Sequence, residues 1–485
     1  MEKDPLVGSN PNSNYRSLVG EKAIVNTQPG DEKLKKNLFQ GFTRSGMRSC
    51  STPASNTIFK NVLSENQHTT GPGLKVWMAA VFVAGEMAGT GVLAVPWAVV
   101  NSGWIGFLLL FAFAVTAAYS GSRLGDCWAI LEERYPECQA SCKNPYPTIA
   151  FYAFGKKTSY LTSTCIQLTL FGAGTVYLML VAQIVQKLLE NVFPNLGFCS
   201  WLLLFSIAIS PLMFLESPKD FSLVGIGALL TTSIACVLIC IQIFLDGTSN
   251  AEPVEHNSHT LDQFFLSFGT ILFSYGGASA FPTIQNDMFQ REKFPKSVLI
   301  AFIIIMALYV PIVLGGYLVY GDKINQNIAL SLSPTWLTTI ANTLMATHLI
   351  LGFIIIINPV SQQLELFCNV PNNFCFKRLI TRFLLLSLMV LLGESIPNFG
   401  KLVALIGGST VTMSTFVLPS LLHMKLCSQT NPLWPERQIA WHSKMYMWEI
   451  IIVGILGGIA STYAAVVAIV NMDSFTKPCY WNCWA

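Results

Sequence analysis

The chain has 485 residues, 52% hydrophobic and only 11% charged, with a formal net charge of +3. Soluble proteins carry about 25% charged residues, so this composition excludes a soluble globular protein and indicates many membrane spans. The small net charge gives no basis for nucleic-acid binding, and only its distribution along the chain is informative.

Residues 1–74 are rich in Ser, Asn, Thr, Gly and Pro, show no apolar periodicity, and read as a disordered tail. Nothing there resembles a cleavable signal, so the first apolar span is expected to act as its own. Within the tail, Tyr15-Arg16-Ser17-Leu18 fits a tyrosine-based sorting pattern that a trafficking adaptor would read. Eleven apolar spans of roughly 20 residues follow, each long enough to cross a ~30 Å hydrocarbon core. They cover 76–99, 104–124, 160–186, 199–215, 222–245, 262–285, 298–320, 336–357, 380–396, 401–422 and 447–470. The expected fold is thus an all-α polytopic membrane protein, with a transporter domain over 75–470 and a short non-cytosolic tail over 471–485.

With the N-terminus placed in the cytosol, 25 of the 29 Lys and Arg residues fall on the inner side. Lys187, Lys323, Lys401 and Lys477 are the four outside. This asymmetry is the positive-inside signature. Thirteen cysteines are scattered, mostly within spans, with no zinc-like spacing. Cys138 and Cys142 fall on the cytosolic side, where a disulfide is not expected. Cys199, Cys479 and Cys483 share the opposite side, and a bridge among the three is open.

The first span contains Gly85-Glu86-Met87-Ala88-Gly89-Thr90-Gly91-Val92-Leu93-Ala94-Val95-Pro96, and the sixth contains Ser274-Tyr275-Gly276-Gly277-Ala278-Ser279-Ala280-Phe281-Pro282. Gly/Pro interruptions at corresponding places in two halves point to a midplane substrate site. Five spans separate the two, so spans 1–5 (about 75–245) and 6–10 (about 262–422) form a 5+5 inverted repeat, and span 11 (447–470) is an extra. A half-helix beginning near Gly91 offers free N–H groups and a positive dipole end, which suit a carboxylate. Half-helices ending near Ala88 and Ser274 offer carbonyls, which suit an ammonium or a cation. A zwitterionic amino acid fits both, contacting Gly89, Thr90, Gly91, Val92, Ser274, Tyr275 and Gly276.

These interrupted segments, with Phe281-Pro282-Thr283-Ile284-Gln285-Asn286-Asp287-Met288, the Glu216-Ser217-Pro218-Lys219-Asp220-Phe221 loop and Asn358-Pro359, resemble the amino acid/auxin permease family, whose fold is that of the bacterial leucine transporter. The resemblance covers about residues 75–470 and is nearest to the animal proton-coupled and vacuolar-type branches. It implies secondary transport of amino acids by alternating access, and a site lined by helices 1, 3, 6 and 8. It also implies that Tyr177 of span 3 faces the substrate.

Glu86 and His348 are the ionisable residues, Cys and Tyr aside, expected at membrane depth, where such groups are functional by default. A buried carboxylate favours its neutral form, and histidine titrates near neutrality, so both are candidates for proton coupling. An alternative sodium site would combine Glu86 with the hydroxyls of Thr343 and Thr347. Sodium-coupled relatives commonly carry Asn where Glu86 stands, which favours a proton as the coupling ion. With no other charged side chain near the pocket, small neutral amino acids are the expected substrates. No cofactor or metal is expected, and the partners are membrane lipid and the amino acid. The membrane is either the plasma membrane or a lysosomal or vacuolar one. An amino-acid sensor signalling through the tail is the competing reading. An enzyme is not expected, because one of six histidines lies at membrane depth and no Ser/His/Asp set assembles there.

Overall fold

The computed structural model describes residues 73–135, 138, 144–214, 221–249, 254–256, 260–371, 375–470 and 479. The sorting pattern at Tyr15–Leu18, most of the 216–221 loop, Cys142 and Cys483 lie outside the described residues. So do the N-terminal tail up to residue 72 and nearly all of the 471–485 tail.

Within the described residues the secondary structure is helical. In chain order the helices are α1 (Val76–Met87), α2 (Thr90–Ser102), α3 (Trp104–Arg134), α4 (Pro145–Phe154) and α5 (Lys156–Leu189). Next come α6 (Phe198–Ile209), α7 (Phe221–Ser249), α8 (Leu261–Phe273), α9 (Phe281–Asn286) and α10 (Phe294–Tyr320). The last are α11 (Trp336–Phe367), α12 (Phe376–Ser395), α13 (Phe399–Ile406), α14 (Leu418–Cys427) and α15 (Trp441–Val470). Helices dominate because lipid offers no partner to a free backbone N–H or C=O. Seven described stretches are long and apolar enough to cross a membrane, and the pair α1/α2, bent by 56°, makes an eighth. Several helices run past the apolar spans read from sequence: α3 reaches Arg134 and α11 reaches Phe367. Apolarity marks where lipid ends, whereas the hydrogen-bond ladder continues into the polar layer.

Both interruptions are present. α1 stops at Met87 and α2 restarts at Thr90, and Pro96 lies within α2. α8 stops at Phe273, and Ser274–Ala280 lie outside any helix before α9. A third irregularity was not legible in the sequence: between α13 and α14, Gly407–Val417 form an eleven-residue π-helix. π-turns collect at functional places. Here Val411 packs on Gly276, in the second interruption.

The loops sort onto two faces. On the near face, where residue 73 begins, Leu74 pairs with the 287–289 segment and Arg291 bridges to Glu132. Arg134 donates to the Leu426 carbonyl at 2.9 Å there. On the far face, Tyr320 and the Ser333 N–H donate to Asp246, and Cys199 is disulfide-bonded to Cys479. Arg291 therefore spends its direct bond on Glu132. Asp287, held above the usual carboxylate range by burial, feels Arg291 only as a nearby charge. Exposed apolar side chains such as Leu108, Ile207, Phe244, Ile303 and Leu456 cover the flanks between the faces, a surface suited to lipid.

Candidate substrate site at the two helix breaks

The two breaks meet. Gly277 abuts the Met87 side chain, and α10 packs along both α1 and α2. Tyr309 of α10 joins them: its hydroxyl lies 2.9 Å from the Met87 carbonyl and 3.1 Å from the Ser274 carbonyl. These are carbonyls at the C-terminal ends of α1 and α8, left without helical partners by the breaks. One hydroxyl proton serves two acceptors, so acceptor capacity remains for a ligand ammonium. Gly91 makes this geometry feasible, since a Cβ there would lie 1.9 Å from the Tyr309 hydroxyl oxygen.

Gly89 forms the floor of a second cluster. It is the N-cap of α2 with no side-chain cap, so the N–H groups of the first turn are open to a carboxylate. A Cβ at Gly89 would lie 2.5 Å from His348 Nε2 and 3.2 Å from the Tyr177 hydroxyl. Its φ of −74° is ordinary; what glycine supplies is space. His348 is 1% exposed and its Nδ1 is 3.0 Å from the Ala228 carbonyl. The carbonyl accepts, so Nδ1 carries the proton. Nε2, buried over Gly89, has a lone pair and no hydrogen-bond partner. Such an orphan inside a protein invites a proton or a ligand donor.

The remaining residues singled out from sequence divide. Thr90 and Val92 are buried in the first turn of α2, and Ser274 is buried with its hydroxyl on the Ile271 carbonyl. Glu86, one turn before Gly89, is partly buried and close enough to the Tyr177 phenol to interact electrostatically. Gly276 lies at the second break against Val411. Tyr275 points elsewhere: its hydroxyl donates to the Leu110 carbonyl at 2.9 Å and its ring stacks on Phe302. The structure does not assemble the alternative sodium set. Thr343 and Thr347 are exposed, and each hydroxyl bonds the carbonyl four residues back in α11. At 100° per residue, Thr347 faces well away from its neighbour His348, which is the residue turned toward Gly89. Sequence reasoning missed Tyr309 and also Asn342, buried in α11 with its Oδ1 unpartnered. The available signal was a polar tip in the middle of an apolar span.

Toward the far face, a cavity of about 300 Å³ is lined by Trp97 of α2, Gln183 of α5, residues 324–327 and 330, and Pro397, Asn398 and Phe399.

Two touching broken helices in a polytopic helical protein, with an uncapped helix start at Gly89 and two helix-end carbonyls bridged by Tyr309, are an arrangement that suits a membrane carrier. The sequence pattern of the transmembrane amino acid transporter proteins matches residues 72–467, and the chain belongs to that family. It is 25% identical over 391 residues to the amino acid transporter AVT1J of Arabidopsis thaliana, covering 78% of this chain and 88% of the relative. It is 24% identical over 420 residues to a vesicular inhibitory amino acid transporter of Xenopus laevis, covering 83% and 78%. In fold it is similar to a manganese transporter of Eremococcus coleocola, at TM-score 0.50 and 10% identity over 90% of this chain and 93% of that one.

Proposed function

We infer that the protein is a secondary active transporter of small neutral amino acids, coupled to protons, working by alternating access around the Gly89 and Ser274–Ala280 breaks. One observation carries the reading. The first turn of α2 offers N–H groups, the Met87 and Ser274 carbonyls face Tyr309, and the His348 Nε2 is an unpartnered acceptor over Gly89. A carboxylate, an ammonium and a transferable proton each have a chemical counterpart there. Glu86 and His348 are the proton-carrying groups of this scheme, and Tyr177 contacts the ligand. With Glu86 and His348 assigned to the proton, the breaks offer no further charged side chain among the described residues to complement a charged substrate, which favours neutral amino acids. Exposure of Thr343 and Thr347 weighs against sodium.

Counting α1/α2, the long helices α3, α5, α7, α10, α11 and α15, the α13–π-helix–α14 stretch, α6 with its 3-10 continuation, α8 with α9, and α12 gives eleven crossings among the described residues, in keeping with a 5+5 repeat and one extra. The charge asymmetry supports a cytosolic near face. Likeness to a vesicular transporter favours an organelle membrane over the plasma membrane.

Uptake into proteoliposomes under imposed gradients tests the reading. Accumulation of alanine or glycine driven by a pH difference alone supports it. Accumulation that requires sodium, or specific binding with no flux, which a sensor would give, overturns it.

A further inference from the structure

The far-face cavity has a chemical bias that its composition alone hides. Five of its lining residues, Gln183, Asn325, Gln326, Asn327 and Asn398, carry carboxamides, and none carries a carboxylate. A carboxamide is amphoteric, with an oxygen that accepts and an NH₂ that donates. In four of the five, the orientation is fixed by the protein. The Ala329 N–H donates to Asn327 Oδ1 at 3.1 Å, the Gly400 N–H to Gln326 Oε1 at 3.2 Å, and the Lys401 N–H to Asn398 Oδ1 at 3.2 Å. A backbone N–H can only donate, so each of these side chains must present its oxygen to the protein. Asn327 Nδ2 then donates to Gln183 Oε1 at 3.3 Å, which commits the fourth oxygen. Each of these four oxygens is already engaged by the protein, whereas the NH₂ groups of Gln183, Gln326 and Asn398 have no protein acceptor among the described residues.

We propose that this cavity is a second binding site, for a compact singly charged anion held by the amide N–H groups of Gln183, Gln326 and Asn398. The lining is rich in donors yet carries no formal positive charge. It therefore stabilises one negative charge through charge-assisted hydrogen bonds, whereas four of its five carboxamide oxygens are already engaged and less available to a cation. The N-terminal end of α13 adds to the positive potential. Both a halide and the carboxylate of an amino acid have this chemistry.

Trp97 lines the cavity and provides the readout. Iodide quenching of the purified full-length protein is titrated, and Trp97→Phe isolates the contribution of that ring. Asn398→Asp and Gln326→Glu retain the oxygen that accepts from the Lys401 and Gly400 N–H groups, while replacing donors by a negative charge. Gln183→Glu does the same toward Asn327 and serves if the first pair expresses poorly. A saturable Trp97 component is expected, with its half-saturation raised about tenfold or more by these substitutions. Competition by acetate and glycine but not by ethylamine assigns the site to a carboxylate, and competition by chloride alone assigns it to a halide. Quenching that is linear in iodide, or a saturable component unchanged by all three substitutions, overturns the proposal. The readout is binding and needs no flux, so it stands or falls apart from the transport reading.

Discussion

Tyr309 and Gly91 are fitted to each other: a single carbon added to Gly91 would lie 1.9 Å from the Tyr309 hydroxyl oxygen. That hydroxyl also bonds the Met87 and Ser274 carbonyls, so the pair holds two separate helix breaks in register.

Gly91→Leu should therefore abolish uptake, and Gly91→Ala should reduce it severely, because the buried Tyr309 ring and the Ser274 Cβ already crowd the position. Radiolabelled uptake normalised to membrane-inserted protein checks this. Normal flux through a correctly inserted Gly91→Leu protein would remove the site from the first break.

Tyr309→Phe keeps the ring and deletes the hydroxyl. Two buried carbonyls then lose their donor, at a cost of about 1–3 kcal/mol. A lower Tm in detergent and slower uptake are expected. An unchanged Tm together with unchanged kinetics would show that the link between the breaks is dispensable.

Glu86→Gln should still exchange substrate but lose accumulation driven by a pH gradient. A carboxylate at membrane depth is stable mainly when protonated, so the proton should travel with one stage of the cycle. His348→Ala should weaken the same coupling if its Nε2 belongs to the relay. Retained pH-driven accumulation in Glu86→Gln would end the proton role of that residue.

Thr343→Ala and Thr347→Ala should be nearly silent, within about 0.5 kcal/mol in stability and with unchanged ion dependence, since both hydroxyls are exposed and bonded to their own helix. A large loss of uptake that excess sodium restores would return the cation site to α11.

Reducing the Cys199–Cys479 bridge should expose two thiols to an impermeant maleimide applied from the non-cytosolic side. Cys199→Ser should free Cys479 to react without reduction. Labelling from the cytosolic side instead would invert the orientation inferred from Lys and Arg.

The helix breaks were legible because they are local backbone chemistry. Glycine and proline weaken a helix interior, and Gly89–Pro96 and Ser274–Pro282 mark two departures from regular α-helix, the Gly407–Val417 π-helix being a third. Glu86 and His348 were legible for a similar reason, since an ionisable group in an apolar span stands out without any knowledge of its neighbours. The inward face of each span was not. In lipid a helix is apolar all round, so hydrophobic periodicity no longer marks the buried side. Thr343 and Thr347 consequently looked as eligible as His348, and close packing against Gly89 turned only the histidine inward. Tyr309 acquired its role by meeting carbonyls 222 and 35 residues away in sequence. The donor-lined cavity has the same origin: its carboxamides come from three separate segments, and although Asn327 and Asn398 are oriented by N–H groups of their own turns, Gln326 and Gln183 are oriented by Gly400 and Asn327, which only the tertiary structure brings alongside.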